Sequence, residues 1–394
     1  MTQGANRVLI AGAGIAGLAT ALAFAKLGRA SDVLERETDI SDAGAGIQLG
    51  PNGVRILQSL GVAGHLSPDV VAPAELTVHD AIGGGVLSAL PLGDAIARRL
   101  GAPYWVAHRG DLRAALLQAA ATEPLITLTP GFDVAGITDS GDAVQAASAA
   151  GEMRHGALLV GADGQWSRVR RLLFGDTGMP FSGYVAYRAV VPFEEVQLAL
   201  RDNAVHIWLA PQIHAVHYPV RAGREHALIV ILEEDGPLHG WNTEADASHL
   251  RERTSGLAGA IATLIAPVRS WRKWALSDPE PLPHWSKGRV TLIGDAAHPI
   301  LPFLAQGGSL ALEDAATLAA GVADDLAQPV TALANWERRR QPRAKRVQSA
   351  ARRNGRVYHL AGLSARARDM VLRSSSPSRV ITKYDWLYGW REHD

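Results

Sequence analysis

A glycine-rich loop near the start of the sequence is a candidate binding site for a dinucleotide. Gly12, Gly14 and Gly17 lie in the run GAGIAG, which follows the apolar segment 7–11 (RVLIA). In a strand–loop–helix unit the first glycine permits a tight turn, the second lets the backbone approach a pyrophosphate, and the third allows close helix packing. The N–H groups and the dipole at the start of the helix attract phosphate. Glu35 ends the next apolar run, where a carboxylate can accept hydrogen bonds from ribose hydroxyls. This unit alone does not distinguish FAD from NAD.

Two later segments place an aspartate directly after a run that is typical of a buried strand. Asp163 lies in GADGQWSRVR and Asp295 in GDAAHP. An acid in this position can bind a ribityl hydroxyl, although GADG taken alone is also an ordinary turn. Further along, Gln306, Gly307 and Gly308 precede an amphipathic helix. A glycine pair that opens a helix can point backbone N–H groups at a flavin pyrimidine and stabilise the anionic reduced ring.

The segment 206–220, HIWLAPQIHAVHYPV, offers candidate catalytic side chains. If residues 213–218 form a strand, His214 and Tyr218 share one face and His217 takes the other. The Cα atoms of His214 and Tyr218 would then lie roughly 13 Å apart, so they could bracket one aromatic ring without contacting the same atom. An imidazole with a pKa of about 6.5 is suited to deprotonate a phenol, which makes the ring electron-rich. The alternative for any strand histidine is a packing or surface role.

The composition excludes several classes of site. The 394 residues include 39 basic and 39 acidic side chains, and this balance gives no support for a nucleic-acid binder. The absence of cysteine excludes disulfides, thiolate nucleophiles, cysteine-ligated zinc, iron–sulfur clusters and flavoenzymes with a redox-active cysteine pair. We expect no metal site. Because no apolar run is long enough to span a bilayer or to act as a signal peptide, we expect a cytoplasmic protein without a membrane partner.

The order of the elements predicts an α/β fold in which a Rossmann-like domain is interleaved with a β-sheet domain. Residues 7–35 have the pattern of a βαβ unit, and buried-strand runs recur at 157–160 and 290–293. Alternating runs between 183 and 273 predict antiparallel strands, whereas 71–100 is irregular. The predicted domains are a dinucleotide-binding domain of residues 1–72, 104–178 and 280–330, a substrate-binding domain of residues 73–103 and 179–279, and a C-terminal helical segment of residues 331–394.

The segment 336–356 contains nine Lys or Arg residues and one Glu. One interpretation is a contact surface for an anion. The other, which we favour because isolated basic helices are common, is a solvated helix face or a subunit contact.

The glycine loop, the GADG segment and the GDAAHP segment together resemble the group A flavoprotein aromatic hydroxylases, the class of p-hydroxybenzoate hydroxylase, over nearly the whole chain. Within that class, the stretches GAGIQLGPNGVRIL, LPLGDAIARRLGAPYWVAHRGDLR and GDAAHPILPFLAQGGSLALEDA resemble the salicylate, 3-hydroxybenzoate and 6-hydroxynicotinate monooxygenases most. The resemblance implies one bound FAD. There is no second GxGxxG unit, since Gly83–Gly85 lacks a flanking strand and helix, and this class binds NADH or NADPH transiently without a separate Rossmann domain.

The resemblance also implies roles for individual residues around FAD. Arg36 and Arg109 join Glu35 on the adenosine and pyrophosphate side. Asp163 belongs to a motif that is linked to both FAD and reduced nicotinamide, and Asp295 holds the ribityl–pyrophosphate region. The segment 302–308 skirts the isoalloxazine.

For the substrate, the resembling monooxygenases have a His and a Tyr at the spacing of His214 and Tyr218. Gln48 and Phe303 stand where the 6-hydroxynicotinate branch has histidines, and Pro302 replaces a glutamine of the 3-hydroxybenzoate branch. An apolar Pro–Phe pair suits a carbocyclic ring better than a pyridine, which favours a salicylate-like hydroxybenzoate.

The implied activity is hydroxylation of a phenolic aromatic carboxylate through a flavin C4a-hydroperoxide, with NAD(P)H and O₂ consumed by a monomer or homodimer. Attack at the ipso carbon would release the carboxylate. Arg188 is the candidate residue for binding the substrate carboxylate. A different electron-rich ring, such as a hydroxynicotinate, a quinolone, a polyketide or a urate-like heterocycle, is the alternative within this class. An alternative of another class is a flavin-binding sensor or scaffold without turnover.

Overall fold

The computed structural model describes residues 7–38, 45–235 and 241–392. In chain order, the strands within these ranges are β1 (Val8–Ala11), β2 (Ser31–Glu35), β3 (Gly46–Leu49), β4 (Glu75–Asp80), β5 (Val86–Pro91), β6 (Trp105–His108), β7 (Ile126–Pro130), β8 (Val134–Asp139), β9 (Val144–Ser148), β10 (Met153–Gly156), β11 (Leu158–Gly161), β12 (Phe181–Pro192), β13 (Ala204–Ala210), β14 (Ile213–Val220), β15 (Glu225–Glu233), β16 (Trp241–Ala245), β17 (Trp271–Ser277), β18 (Ser286–Lys287) and β19 (Val290–Leu292).

The α-helices in the same ranges are α1 (Ile15–Lys26), α2 (Pro51–Ser59), α3 (Ala63–Leu66), α4 (Gly93–Leu100), α5 (Arg109–Ala121), α6 (Arg168–Phe174), α7 (Ala247–Thr254), α8 (Gly259–Ile265), α9 (Gly307–Val322), α10 (Pro329–Tyr358), α11 (Gly362–Ser374), α12 (Pro377–Thr382) and α13 (Asp385–Tyr388). None of the helices described here combines the length and the apolar character that crossing a bilayer requires.

A sheet of mainly parallel strands, here called the parallel sheet, carries the predicted dinucleotide-binding elements. Across the described ranges its strand order is β18-β19-β11-β1-β2-β7, in which the short β18 pairs antiparallel with β19. Strands β1, β11 and β19 are fully buried apolar runs, as expected for a parallel sheet covered on both faces. Helix α1 packs against α5 and α9. The predicted Rossmann-like α/β fold is confirmed, and the loops after β1, β11 and β19 emerge side by side.

A second, mixed sheet has the order β16-β17-β12-β15-β14-β13-β4-β5 within the described residues. The predicted antiparallel strands are confirmed here, with one parallel pair between β13 and β4. The segment 71–100, which is irregular in sequence, contributes β4, β5 and α4. A shift of register between Val78 and His79 breaks the period-two pattern of this hairpin, which explains why its strands are not evident from the sequence.

Helix α10 is joined to α9 by a buried ionic network. Both carboxylates of the α9 pair, Glu313 and Asp314, are fully buried. Arg340 donates to Glu313 at 3.0 Å and to Asp314 at 2.8 Å, and Arg343 donates to Glu313 at 2.8 Å. Burial by itself would raise the pKa of Asp314, but His298 and Arg340 outweigh this effect and lower the pKa to about 2. Asp314 therefore stays ionised, and its ion pairs and those of Glu313 fix α10 against α9.

The basic segment 336–356 is thus partly internal. Neither a solvated face nor an anion-binding surface accounts for Arg340 and Arg343, which neutralise carboxylates of the same chain. Arg352 likewise pairs with Asp278 at 2.7 Å. The sequence does not show this, because the acidic partners lie on segments that are remote along the chain.

We expect an Arg340→Met variant to be strongly destabilised, because it leaves two buried carboxylates with one remaining arginine. Breaking a buried ion pair typically costs about 3–5 kcal/mol. Urea unfolding followed by circular dichroism measures the change. Arg338→Met, which removes an exposed arginine of the same helix, is the control and should change stability by less than about 0.5 kcal/mol. Equal effects of the two substitutions would contradict this account of the network.

Candidate active site

The glycine loop after β1 has the geometry of a phosphate site. Gly12 has a φ of +103°, and a Cβ at that position would lie 2.8 Å from the carbonyl oxygen of Ala162. A Cβ on Gly17 would lie 1.9 Å from the carbonyl oxygen of Gly12. By contrast, a Cβ on Gly14 would meet no atom within 4 Å, and no side chain caps the start of α1. The loop is tight where it packs and open where a pyrophosphate would lie.

Glu35 supports this loop from the end of β2. Its Oε2 accepts a hydrogen bond from the backbone N–H of Ala13 at 2.7 Å, and its Oε1 accepts one from Glu37 at 3.0 Å. Arg113 on α5 donates to the carbonyl oxygen of Ala13 at 2.9 Å and lies 3.7 Å from Glu35. Glu35 therefore positions the loop backbone, and the ribose contact expected of it stays a prediction.

Asp163 organises the segment after β11. Its two carboxylate oxygens accept hydrogen bonds from the Ser167 hydroxyl at 2.5 Å and from the backbone N–H groups of Arg168 at 2.7 Å and Val169 at 3.0 Å. These contacts anchor the start of α6. Asp163 therefore fixes the shape of the GADG turn. A contact of this segment with FAD or nicotinamide would depend on that shape.

A buried arginine that the sequence analysis did not single out joins two of the motifs. Arg170 on α6 donates to the carbonyl oxygens of Ala296 at 2.9 Å and Gln165 at 2.6 Å. Burial lowers the pKa of Arg170, and the nearby Asp163 and Asp295 offset part of this. Only its place in the GADGQWSRVR run, directly after a predicted buried strand and turn, could have indicated the role.

Asp295 follows β19 and is exposed, while its neighbours in the GDAAHP segment are buried. Desolvation by the surrounding protein raises the pKa of Asp295, and the charges of His298, Arg109 and Arg170 counteract the rise. The carboxylate is therefore open to a ligand but lies in a concave region. His298 is held by Asp314, with 2.6 Å between His298 Nε2 and Asp314 Oδ2, which fixes the segment in place.

The segment 302–308 forms a tight turn and then the start of α9. Ala305 has a φ of +50°, a left-handed conformation that directs the chain into the helix. Gln306 accepts a hydrogen bond from Asn52 at 2.9 Å, and a Cβ on Gly308 would lie 2.9 Å from Ile47. The start of α9 has no side-chain cap, as expected if its N–H groups face a ligand.

The two arginines expected near the adenosine and pyrophosphate lie in different surroundings. Arg36 is exposed, and its Nε lies 3.1 Å from Glu37. Arg109, the first residue of α5, is exposed too, but its charge acts on both Asp295 and Arg188. Arg109 therefore lies between the loop after β19 and the mixed sheet, and both cofactor roles stay predictions.

These observations fit FAD. An open glycine loop, an exposed aspartate and an uncapped glycine helix start are brought to one side of the parallel sheet, where an extended dinucleotide can contact all three. FAD bound there would place its pyrophosphate at the start of α1 and its ring at the start of α9.

The mixed sheet presents the two predicted catalytic side chains on one face. His214 and Tyr218 are both buried on β14, and their spacing puts them on the same side. The ring of Phe303, from the segment before α9, lies 5.4 Å from the ring of His214. His214 is therefore next to the expected flavin. Burial, and secondarily His359, lower the pKa of His214 well below its ordinary value.

The other candidate histidines lie on the opposite face. His206 and His217 stack with ring centres 4.5 Å apart, and His79 Nε2 lies 2.9 Å from His206 Nδ1. His226 completes this histidine cluster, whose outer member His206 contacts Asp202. Within the described ranges, no group of three or more acidic or histidine side chains is arranged to hold a metal. The alternation along β13 and β14 thus separates His214 from its neighbours.

Arg188 lies on the same face as His214. In the sheet register Arg188 pairs with Ile229, which pairs with Val216, the residue midway between His214 and Tyr218. Two strand spacings put Arg188 roughly 10 Å from Val216. Its guanidinium lies over the ring of Trp274, with 4.8 Å to the ring centre.

The Arg188 guanidinium also has a hydrogen-bond donor that none of the described residues uses. Its Nε is buried without a hydrogen-bond partner, and no carboxylate among the residues described here pairs with it. Burial lowers the pKa of Arg188 to about 10. Arg188 is half-buried, and a partly desolvated cation without a carboxylate partner among the described residues is costly, so an anionic ligand would reduce that cost.

Gln48 and Tyr104 complete the side of the site near Tyr218. The Tyr104 hydroxyl donates to Gln48 at 2.7 Å, and burial raises the pKa of Tyr218. Trp274 and His359 come from segments without a recognisable motif. Tyr104 lies in the stretch 90–113 that resembles known monooxygenases, but that resemblance does not single out this residue.

Comparisons with known proteins agree with this geometry. The model of the FAD binding domain family matches residues 5–351. The chain is 36% identical to the 3-hydroxybenzoate 6-hydroxylase of Polaromonas naphthalenivorans, with 97% of this chain and 96% of that protein covered. It is 34% identical to a 3-amino-4-hydroxybenzoate 2-monooxygenase of Streptomyces platensis, over 98% and 96% of the two chains. Among solved structures, Klebsiella pneumoniae HpxO complexed with FAD and uric acid matches with a TM-score of 0.85 and 25% identity, over 97% and 96% of the chains. The chain therefore belongs to the FAD-dependent aromatic hydroxylases, and FAD is its cofactor.

Proposed function

We propose that this protein hydroxylates a phenolic carboxylate of the hydroxybenzoate type, with O₂ and NADH or NADPH as co-substrates. The observation that carries the proposal is the Arg188 guanidinium, which has no carboxylate partner among the described residues and shares a sheet face with His214 and Tyr218. A single ring that bears a carboxylate and a hydroxyl can reach both an arginine and a histidine across roughly 10 Å of sheet. The hydroxybenzoate substrates named for two relatives support the same class. We place the protein in the cytoplasm, where NAD(P)H is available, as a monomer or homodimer.

Each side chain has a distinct part in the proposed reaction. Arg188 binds the carboxylate, and Gln48, Tyr218, Pro302 and Phe303 confine the ring. His214 removes the phenol proton at its free ring nitrogen, which raises the electron density of the ring for electrophilic attack. When bound, FAD supplies the oxidising chemistry, since it takes two electrons from NAD(P)H and delivers one oxygen atom of O₂ to the ring. Burial of His214 and Phe303 keeps water away from the reacting atoms.

A panel of aromatic compounds tests the substrate class. We expect NAD(P)H oxidation to be stimulated by salicylate or 3-hydroxybenzoate. Insertion of one oxygen atom should give a product about 16 mass units heavier than the substrate, or about 28 mass units lighter if the carboxylate leaves as CO₂. Stimulation by 6-hydroxynicotinate, a quinolone or urate alone would overturn the hydroxybenzoate class but keep the hydroxylase. Slow reduction of the flavin whatever compound is added would instead indicate a sensor.

An Arg188→Met variant tests carboxylate binding. A hydrogen bond to a charged group contributes about 1.5–3 kcal/mol, so we expect KM for the carboxylate substrate to rise roughly 10- to 150-fold. The matching phenol without a carboxylate should react with wild type and variant alike. Arg272→Met, on the neighbouring strand in register with Arg188, is the control. A KM that rises equally for both compounds would exclude Arg188 as the carboxylate ligand.

A His214→Gln variant tests the base. We expect hydroxylation to slow by roughly 10²- to 10⁴-fold at neutral pH. Because the pKa of His214 is lowered, its imidazole is neutral at pH 6.5, and the acid limb of the wild-type kcat/KM profile should lie below that pH. The control is His217→Gln, which changes a histidine on the opposite face of β14. An unchanged rate and profile in His214→Gln would show that another group takes the proton.

A further inference from the structure

A chain of hydrogen bonds leads from His214 to the protein surface. His214 Nδ1 lies 2.7 Å from His359 Nε2, and His359 Nδ1 lies 3.1 Å from Glu233 Oε1. The His359 side chain is 1% exposed, whereas that of Glu233 is 36% exposed. His359 follows α10 and Glu233 ends β15, so two remote segments meet at the base. The chain thus connects a closed site to solvent.

The carboxylate fixes the tautomers of both imidazoles. An ionised Glu233 can only accept, so His359 must donate from Nδ1–H, which leaves its Nε2 as an acceptor. His214 must then donate from its own Nδ1–H. Its Nε2 consequently carries a lone pair, and none of the described residues is hydrogen-bonded to this atom. This is the tautomer that a base directed at a phenol requires.

We propose that His359 and Glu233 form a proton relay that carries the substrate's phenolic proton from His214 to solvent. The proposal rests on the proposed function, which supplies the proton. The phenol O–H bond breaks as His214 Nε2 gains the proton, His214 Nδ1–H passes its proton to His359 Nε2, and His359 Nδ1–H passes its proton to Glu233. Glu233 releases the proton to water. Reversal of these steps protonates the product and restores the tautomers.

The surroundings of the relay disfavour a proton that stays on either histidine. Burial, and secondarily Arg368, lower the pKa of His359 to about 4. The rings of Phe303, Tyr184 and Tyr358 lie against the two imidazoles. These rings carry no negative charge that would stabilise a protonated histidine. A proton that leaves the substrate must therefore move on to Glu233.

Glu233 is suited to exchange that proton with water. It lines an open surface pocket of about 610 Å³ together with Glu234, Asp235 and Arg253. Burial raises the pKa of Glu233; Arg253 counteracts this and Asp235 adds to it. A carboxyl group with a raised pKa holds a proton for longer and then delivers it to the pocket.

Proton release can be measured directly in the FAD-loaded enzyme. The enzyme is mixed with the phenolic substrate in weakly buffered, anaerobic solution that contains a pH indicator, and release is followed by stopped flow. Substrate affinity is measured separately from the flavin spectrum. The variants are Glu233→Gln and His359→Gln. Asp235→Asn, which removes an equal charge from the same pocket without contacting His359, is the control. Formate is added to Glu233→Ala as a replacement carboxylate.

We expect release to slow at least about tenfold in Glu233→Gln and His359→Gln, with substrate affinity unchanged and with recovery by formate in Glu233→Ala. Release at the wild-type rate would overturn the relay. Slow release that accompanies weaker substrate binding and does not respond to formate would also overturn it, since it would show that His359 and Glu233 only fasten α10 to the sheet. If wild type hydroxylates no phenol, the proposed function fails and the relay fails with it.

Discussion

The buried carboxylate pair of α9 is the interaction on which the rest of the structure depends. Asp314 accepts hydrogen bonds from the backbone of Gly294 at 3.0 Å and from Arg340, and it also contacts His298. Glu313 binds Arg340 and Arg343, and the latter donates to main-chain oxygens close to the C-terminus. One pair of charges thus positions the loop that carries Asp295, the start of α9 and the long helix α10. Ions that are buried this deeply are tolerated only when all partners are present, so the pair requires each of these segments to dock correctly.

The mixed sheet separates two sets of polar side chains by alternation alone. One face carries Arg188, His214 and Tyr218 toward the expected flavin, and the other buries the histidine cluster. Adjacent residues of β14 therefore have unrelated environments, although the pKa values of His214 and His217 are both lowered by burial. Their difference lies in their partners. His214 reaches a carboxylate through His359, while neither ring nitrogen of His217 has a hydrogen-bond partner in the structure as described.

Desolvation affects the side chains at both ends of the proposed substrate, with different consequences. It favours anion binding at Arg188 and a neutral imidazole at His214. At Arg188 it acts on a cation that no carboxylate of the described residues neutralises, so that a substrate carboxylate is attracted to the site. At His214 it disfavours the imidazolium, so that the base is neutral and a proton must be passed on. Both effects depend on limited access of water, to which the ring of Phe303 beside His214 and the ring of Trp274 beneath Arg188 contribute. The cofactor site differs in its exposure. Asp295 is exposed and the glycine loop has open space at Gly14, so a charged ligand can contact both.

The α/β fold and the strand that carries His214 and Tyr218 could be predicted from local patterns, because a glycine turn, a buried apolar run and a period of two each depend on neighbouring residues. The choice of FAD over NAD came instead from the resemblance of three segments to a known family. The sequence also offered Arg188 as a candidate, without showing that none of the described carboxylates pairs with it. The folded chain brings His359 and Glu233 to His214, turns Arg340 and Arg343 inward, and adds residues 71–100 to the mixed sheet. Those contacts link segments far apart in the chain, and no local pattern encodes which distant side chain satisfies a buried charge or a free imidazole nitrogen.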